Sequence, residues 1–125
     1  MNETVTDINS DPIKNALLSL VVEGWRFTRA YLRLISKLDA GDQNRFVSQY
    51  RYFQKQLEDK LSVVGFRLVN IEGLPFDPGM AATAINLGDF LSEDKLIVDQ
   101  MLEPIVMSET GVVKMGTVVL RKVES

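Results

Sequence analysis

The stretch KQLEDKLSVVGFRLVNI, residues 55–71, decides the fold because its hydrophobic period changes at Gly65. Before this glycine, apolar residues such as Leu57 and Leu61 recur at three- and four-residue steps, which is the spacing of one helix face. After it, side chains alternate with period two, which predicts a strand over 66–72. Gly65 itself is predicted to stop the helix in a left-handed conformation. The sequence therefore predicts a helical part and a β part that meet at Gly65.

Residues 11–64 carry two helical patterns that predict an antiparallel hairpin. Asp11 followed by Pro12 predicts the start of the first helix, and a turn near Asp39 leads to a second helix from about Gln43. The predicted seam residues of the two helices are Leu17, Leu20, Phe27, Tyr31, Leu34, Leu38, Phe46, Phe53 and Leu57. Such a hairpin has too much apolar surface for a lone pair of helices. We expect a homodimeric four-helix bundle, or alternatively packing of the helices onto the chain's own β part.

Residues 65–125 predict a small, mostly antiparallel β domain of four to six short strands, so the fold class is α+β. The other predicted elements are a turn-rich loop at 73–79, a strand or helical turn at 80–87, a polar connection at 88–94, a strand at 96–107 that Pro104 interrupts, a hairpin tip at 108–111 and a returning strand at 112–123. Charge divides at the same boundary. Residues 11–64 hold nine basic and six acidic side chains, whereas residues 65–125 hold five basic and nine acidic ones.

Composition excludes several classes of chemistry. The 125 residues contain no Cys and no His, so disulfides, thiolate–zinc sites, cysteine nucleophiles and Ser-His triads are absent. The acidic residues lack the spacing of a calcium loop, and we expect no cofactor, no metal and no enzyme activity. The longest apolar run is shorter than a membrane span, and the acidic start does not resemble a secretory signal. We therefore expect a cytoplasmic protein without membrane contact, whose residues 1–10 form a disordered tail.

The run KQLEDKLSVVGFRLVNIEGLPFDP, residues 55–78, resembles the GrpE family, the nucleotide-exchange factors of DnaK-type chaperones. That family carries a helix rich in lysine and leucine, a glycine, a short strand and a Gly-x-x-Phe-Asp-Pro loop, and it ends in a hairpin that corresponds here to Lys114–Leu120. The predicted order of elements agrees over roughly residues 15–122. Ala81 and Ala82 stand where the family usually has His and Glu or Gln. The chain resembles a shortened or divergent member that lacks the family's long N-terminal helix.

The resemblance implies a co-chaperone that binds a DnaK-type chaperone and favours its open form, so that ADP leaves without covalent chemistry. It implies partner contacts on the exposed sheet and hairpin, at Met107, Glu109, Gly111, Lys114 and Leu120. The residues themselves predict a joint between the helical and β parts at Gly65, Phe76, Asp77 and Pro78. There we expect Phe76 to anchor the β part on the helices and Asp77 to fix the loop by backbone hydrogen bonds.

A basic row on the first helix predicts a different function. Arg26, Arg29, Arg33 and Lys37 recur at three- and four-residue steps and so share one helix face. Such a row suits an acidic protein partner, and less readily a nucleic acid because the whole chain is acidic. The alternative to a co-chaperone is therefore an adaptor or regulator on the same scaffold, which binds through its sheet or through this basic face.

Overall fold

The computed structural model describes residues 11–124, so the disordered tail expected at residues 1–10 lies outside the described part. Helix α1 spans Pro12–Ile35 and helix α2 spans Ala40–Val63. A carboxylate oxygen of Asp11 accepts the backbone N–H groups of Ile13 and Lys14 at 3.0 and 3.3 Å, which is the predicted cap. Helix α2 begins three residues earlier than the predicted start at about Gln43, because a carboxylate oxygen of Asp39 caps it by accepting the N–H of Asp42 at 3.0 Å.

The two helices form the predicted antiparallel hairpin. Near the loop, the rings of Tyr31 and Phe46 pack edge to face with centroids 6.4 Å apart. Further from the loop, Gly24 lies where an added Cβ would be 3.7 Å from the Phe53 ring, which shows close approach of the helices. One face of α1 is buried, and its buried residues are Leu18, Val21, Val22, Trp25, Thr28 and Ile35.

Within residues 11–124, six short strands follow the helices and confirm the α+β class. They are β1 (Arg67–Val69), β2 (Ala82–Ala84), β3 (Leu96–Glu103), β4 (Ile105–Ser108), β5 (Gly111–Lys114) and β6 (Gly116–Lys122), with a 3₁₀ turn at Leu87–Asp89 between β2 and β3. They form two three-stranded sheets, one in the order β1-β4-β5 and the other in the order β2-β6-β3. All the pairs are antiparallel except β2 with β6.

Both of the long predicted strands are divided in the structure. Pro104, which cannot donate a ladder hydrogen bond, separates β3 from β4 and is buried. Met115 is the single residue between β5 and β6. Because the chain changes sheet at each break, the predicted single sheet becomes two smaller ones.

The predicted loop at 73–79 pairs with β3 instead of standing apart from it. The N–H of Gly73 donates to the carbonyl of Val98 at 2.8 Å, and the N–H of Val98 donates to the carbonyl of Leu74 at 2.9 Å. The N–H of Phe76 donates to the carbonyl of Leu96 at 2.9 Å. The loop therefore covers one edge of β3, which β6 covers on the other side.

The chain divides into two compact units, of which the first ends at Leu57 and the second begins at Glu58, before the predicted boundary at Gly65. The second unit has its own core, whose most buried large residues are Leu61, Val98, Met101, Pro104, Val106 and Val118. Among the described residues, no helix is both long enough and apolar enough to cross a membrane.

Candidate functional site

The most distinctive surface of the first unit is a row of exposed apolar residues on α1. Ile13, Leu20, Phe27 and Leu34 are 82%, 69%, 68% and 62% exposed, and they repeat every seven residues. Leu20, Phe27 and Leu34 are among the predicted seam residues, yet most of the surface of each is exposed in the single chain. We call these four residues the heptad row. The other predicted seam residues of the hairpin are less exposed, and Leu17, Tyr31, Leu38, Phe46 and Leu57 are half-buried.

An aromatic groove of about 240 Å³ lies beside the heptad row, between α1 and α2. Its lining residues are Phe27, Thr28, Tyr31, Gln49, Tyr50 and Phe53. The Phe27 and Tyr31 rings stack with centroids 6.3 Å apart, and the Tyr31 hydroxyl donates to the side-chain oxygen of Gln49 at 3.4 Å. Phe53 remains 43% exposed. The heptad row and the groove together form an exposed apolar face on the hairpin.

Most of the predicted partner contacts on the second unit lie on the β4–β5 hairpin. Met107 lies half-buried on β4, Glu109 is exposed at the β4–β5 turn, and Gly111 adopts φ +138° as that turn ends. The Ser108 hydroxyl accepts the backbone N–H of Thr110 at 3.2 Å and so stiffens the turn. These residues form a defined hairpin tip.

Lys114 is held by a half-buried carboxylate. Its ammonium group lies 3.4 Å from the Glu103 carboxylate, which also accepts the Thr117 hydroxyl at 3.1 Å. Leu120, by contrast, is only 2% exposed, so its side chain belongs to the core and is not a surface contact. The expectation for Leu120 was wrong because β6 is the central strand of its sheet and buries alternate side chains.

The predicted joint residues have well-defined local structure. Gly65 adopts φ +81°, the left-handed conformation that its position after α2 predicts. A carboxylate oxygen of Asp77 accepts the N–H of Gly79 at 2.9 Å, which is the predicted loop-fixing bond. Phe76 is half-buried, Pro78 is exposed, and the anchoring of the β part by Phe76 stays a prediction.

The basic row on α1 is only partly engaged by neighbouring side chains. Arg26 forms an exposed ion pair with Glu23 at 2.9 Å, and the guanidinium of Arg29 lies 5.3 Å from the centre of the Trp25 ring. Arg33 and Lys37 are exposed. Lys37 lies in the turn after α1, so the predicted row on the helix ends at Arg33.

Sequence reasoning missed one feature of the second unit, the segment 85–94. It was interpreted from residue 88 onward as a polar connection, but Ile85, Leu87 and Leu91 are 62%, 47% and 65% exposed. The side-chain amide of Asn86 makes two hydrogen bonds of 2.9 Å to the backbone of Leu120. The available signal was the presence of Ile85, Leu87 and Leu91 within seven positions of a short connection.

Within residues 11–124 no group of His, Cys, Asp and Glu side chains is placed to hold a metal ion. Comparison of the chain with models of known families, with curated proteins and with solved structures found no match.

Proposed function

We propose that the protein is a GrpE-like co-chaperone: a cytoplasmic homodimer that binds a DnaK-type chaperone and promotes ADP release. The observation that carries the proposal is the heptad row on α1, because a row of large apolar side chains at this spacing is how helices associate. It belongs to a hairpin that is followed by a small β unit, which is the order of elements that the resemblance implies.

Burial of the heptad row against a second copy of the chain is favoured by the free energy of burying apolar side chains. Full burial of one Leu, Ile or Phe side chain contributes about 1.5–3 kcal/mol. Four such residues on each copy, together with the aromatic groove, offset an association cost of about 4–15 kcal/mol. A symmetric pair of hairpins forms a four-helix bundle in which each copy presents the same face.

The β4–β5 hairpin is the proposed contact with the chaperone. Glu109 is exposed at its tip. Lys114 is paired with Glu103, so its side chain loses less conformational entropy on binding. An exchange factor works only through differential affinity: it binds the open chaperone more tightly than the closed one, and the equilibrium shifts by that difference. No covalent step and no cofactor are required.

The test is the rate at which the host's own DnaK-type chaperone releases a fluorescent ADP analogue. We expect the protein to accelerate release, and we expect Glu109→Lys to reduce the acceleration because it reverses the charge at the hairpin tip. Glu124→Lys is the matched control, since Glu124 is an exposed carboxylate of the same unit outside the hairpin. An unchanged release rate with the unmodified protein would refute the exchange activity.

The basic row supports a second candidate, an adaptor for an acidic partner. Arg33 is exposed in the last turn of α1 and Lys37 in the turn that follows the helix, in the unit where basic residues are in excess. This candidate predicts binding of an acidic peptide that weakens with salt and is lost in Arg33→Glu with Lys37→Glu. Comparable binding of duplex DNA, with a steep salt dependence, would point to nucleic acid instead.

A further inference from the structure

The segment 85–94, which we call the 85–94 loop, exposes three large apolar side chains within seven residues. Ile85, Leu87 and Leu91 are 62%, 47% and 65% exposed. Single exposed apolar residues are ordinary on protein surfaces, but a cluster on one short segment indicates an interaction site. This cluster lies apart in sequence from the β4–β5 hairpin that we propose as the chaperone contact.

The first half of the loop is held against β6. The side-chain NH₂ of Asn86 donates to the carbonyl of Leu120, and the side-chain oxygen of Asn86 accepts the N–H of Leu120, both at 2.9 Å. The N–H of Ile85 donates to the carbonyl of Val118 at 3.1 Å. The Asn86 side chain thus takes the place that a neighbouring strand would have beside Leu120. Because the N–H and carbonyl of Leu120 are already bonded, an added strand could not pair with them.

The second half of the loop is closed by a carboxylate. Asp94 accepts the backbone N–H of Leu91 at 2.9 Å through one oxygen, and its other oxygen lies 3.5 Å from the ammonium group of Lys122. Both halves of the loop are therefore held by side-chain bonds, and the exposed apolar side chains lie on an ordered segment. Because the segment is already ordered, it loses less conformational entropy when it binds a partner.

The charge of the loop identifies the chemistry of its partner. Residues 85–94 contain Asp89, Glu93 and Asp94 and no basic residue. Asp89 and Glu93 are exposed, and they follow Leu87 and Leu91 by two residues in the sequence. A complementary surface combines apolar groups with Lys or Arg, and because Asn86 occupies the strand-pairing groups, a helix face fits better than an extended strand.

We propose that the 85–94 loop is a docking site for a cationic amphipathic helix of another protein. The helix places its apolar face on Leu87 and Leu91 and its basic residues near Asp89 and Glu93. This site does not depend on ADP release, so the loop docks its partner whether or not the exchange activity holds.

The test uses a fluorescent synthetic helix of about 18 Leu and Lys residues in an amphipathic pattern, added to the full-length protein. Fluorescence anisotropy measures its Kd. We expect binding that Leu87→Ser with Leu91→Ser weakens about tenfold or more, because two apolar contacts are lost. The control is Val112→Ser with Met115→Ser, since both residues are 48% exposed in the same unit outside the loop. We expect this control to bind as the unmodified protein does.

Two further variants separate docking from general attraction. Asp89→Asn with Glu93→Gln should weaken binding and flatten its salt dependence, whereas Glu109→Gln with Glu124→Gln should not. Asn86→Ala keeps every exposed apolar side chain but removes both bonds to β6, and we expect weaker binding because the loop is no longer held. Equal losses in the loop variants and their controls overturn the proposal, as does failure of the unmodified protein to bind the peptide.

Discussion

At the scale of the residue, Gly116 shows how closely the second unit is packed where the chain changes sheet. A Cβ added at Gly116 would lie 2.9 Å from Cγ1 of Ile105 and 3.0 Å from the backbone oxygen of Glu103. The carbonyl cannot move without disturbing β3, so Gly116→Ala should lower the free energy of unfolding by about 1–3 kcal/mol. Urea unfolding measures this loss. At Gly88 an added Cβ meets nothing within 4 Å, so Gly88→Ala is the control, and equal midpoints for the two variants would contradict the packing argument.

At the scale of the element, capping carboxylates set where each helix begins. Asp11 accepts two backbone N–H groups at the start of α1, and Asp39 accepts one at the start of α2. Replacement of either by Ala should cost about 1 kcal/mol of stability, since these N–H groups then lose their partner. Thermal unfolding followed by circular dichroism measures the effect. Asp89→Ala is the matched control in a loop, and a loss as large as that of Asp11→Ala would contradict the capping role.

At the scale of the whole molecule, the heptad row predicts the oligomeric state. The unmodified protein should have the mass of two chains in light scattering. Phe27→Glu should have the mass of one chain, because burying an unpaired carboxylate in the dimer interface is costly. Ser19→Glu is the control, since Ser19 is exposed on α1 outside the heptad row. A single-chain mass for the unmodified protein would contradict the dimer and leave the heptad row to a different partner.

The sequence by itself determined the features that depend on local chemistry: two helices, the cap at Asp11, the left-handed stop at Gly65 and the turn at Asp77. These follow from periodicity and from side chains that bond to their own backbone. It also placed Leu20, Phe27 and Leu34 of the heptad row in the predicted seam, and the single chain leaves these side chains exposed.

Only the tertiary structure decided how the β part divides into two sheets, why Leu120 is buried and how the 85–94 loop is held. Each depends on residues far apart in sequence; Asn86 and Leu120, for example, are 34 positions apart. A strand's alternation shows that it has two faces, but not which face is covered or which strand lies beside it. Burial is a property of the neighbours that the fold brings together, and the local pattern does not contain it.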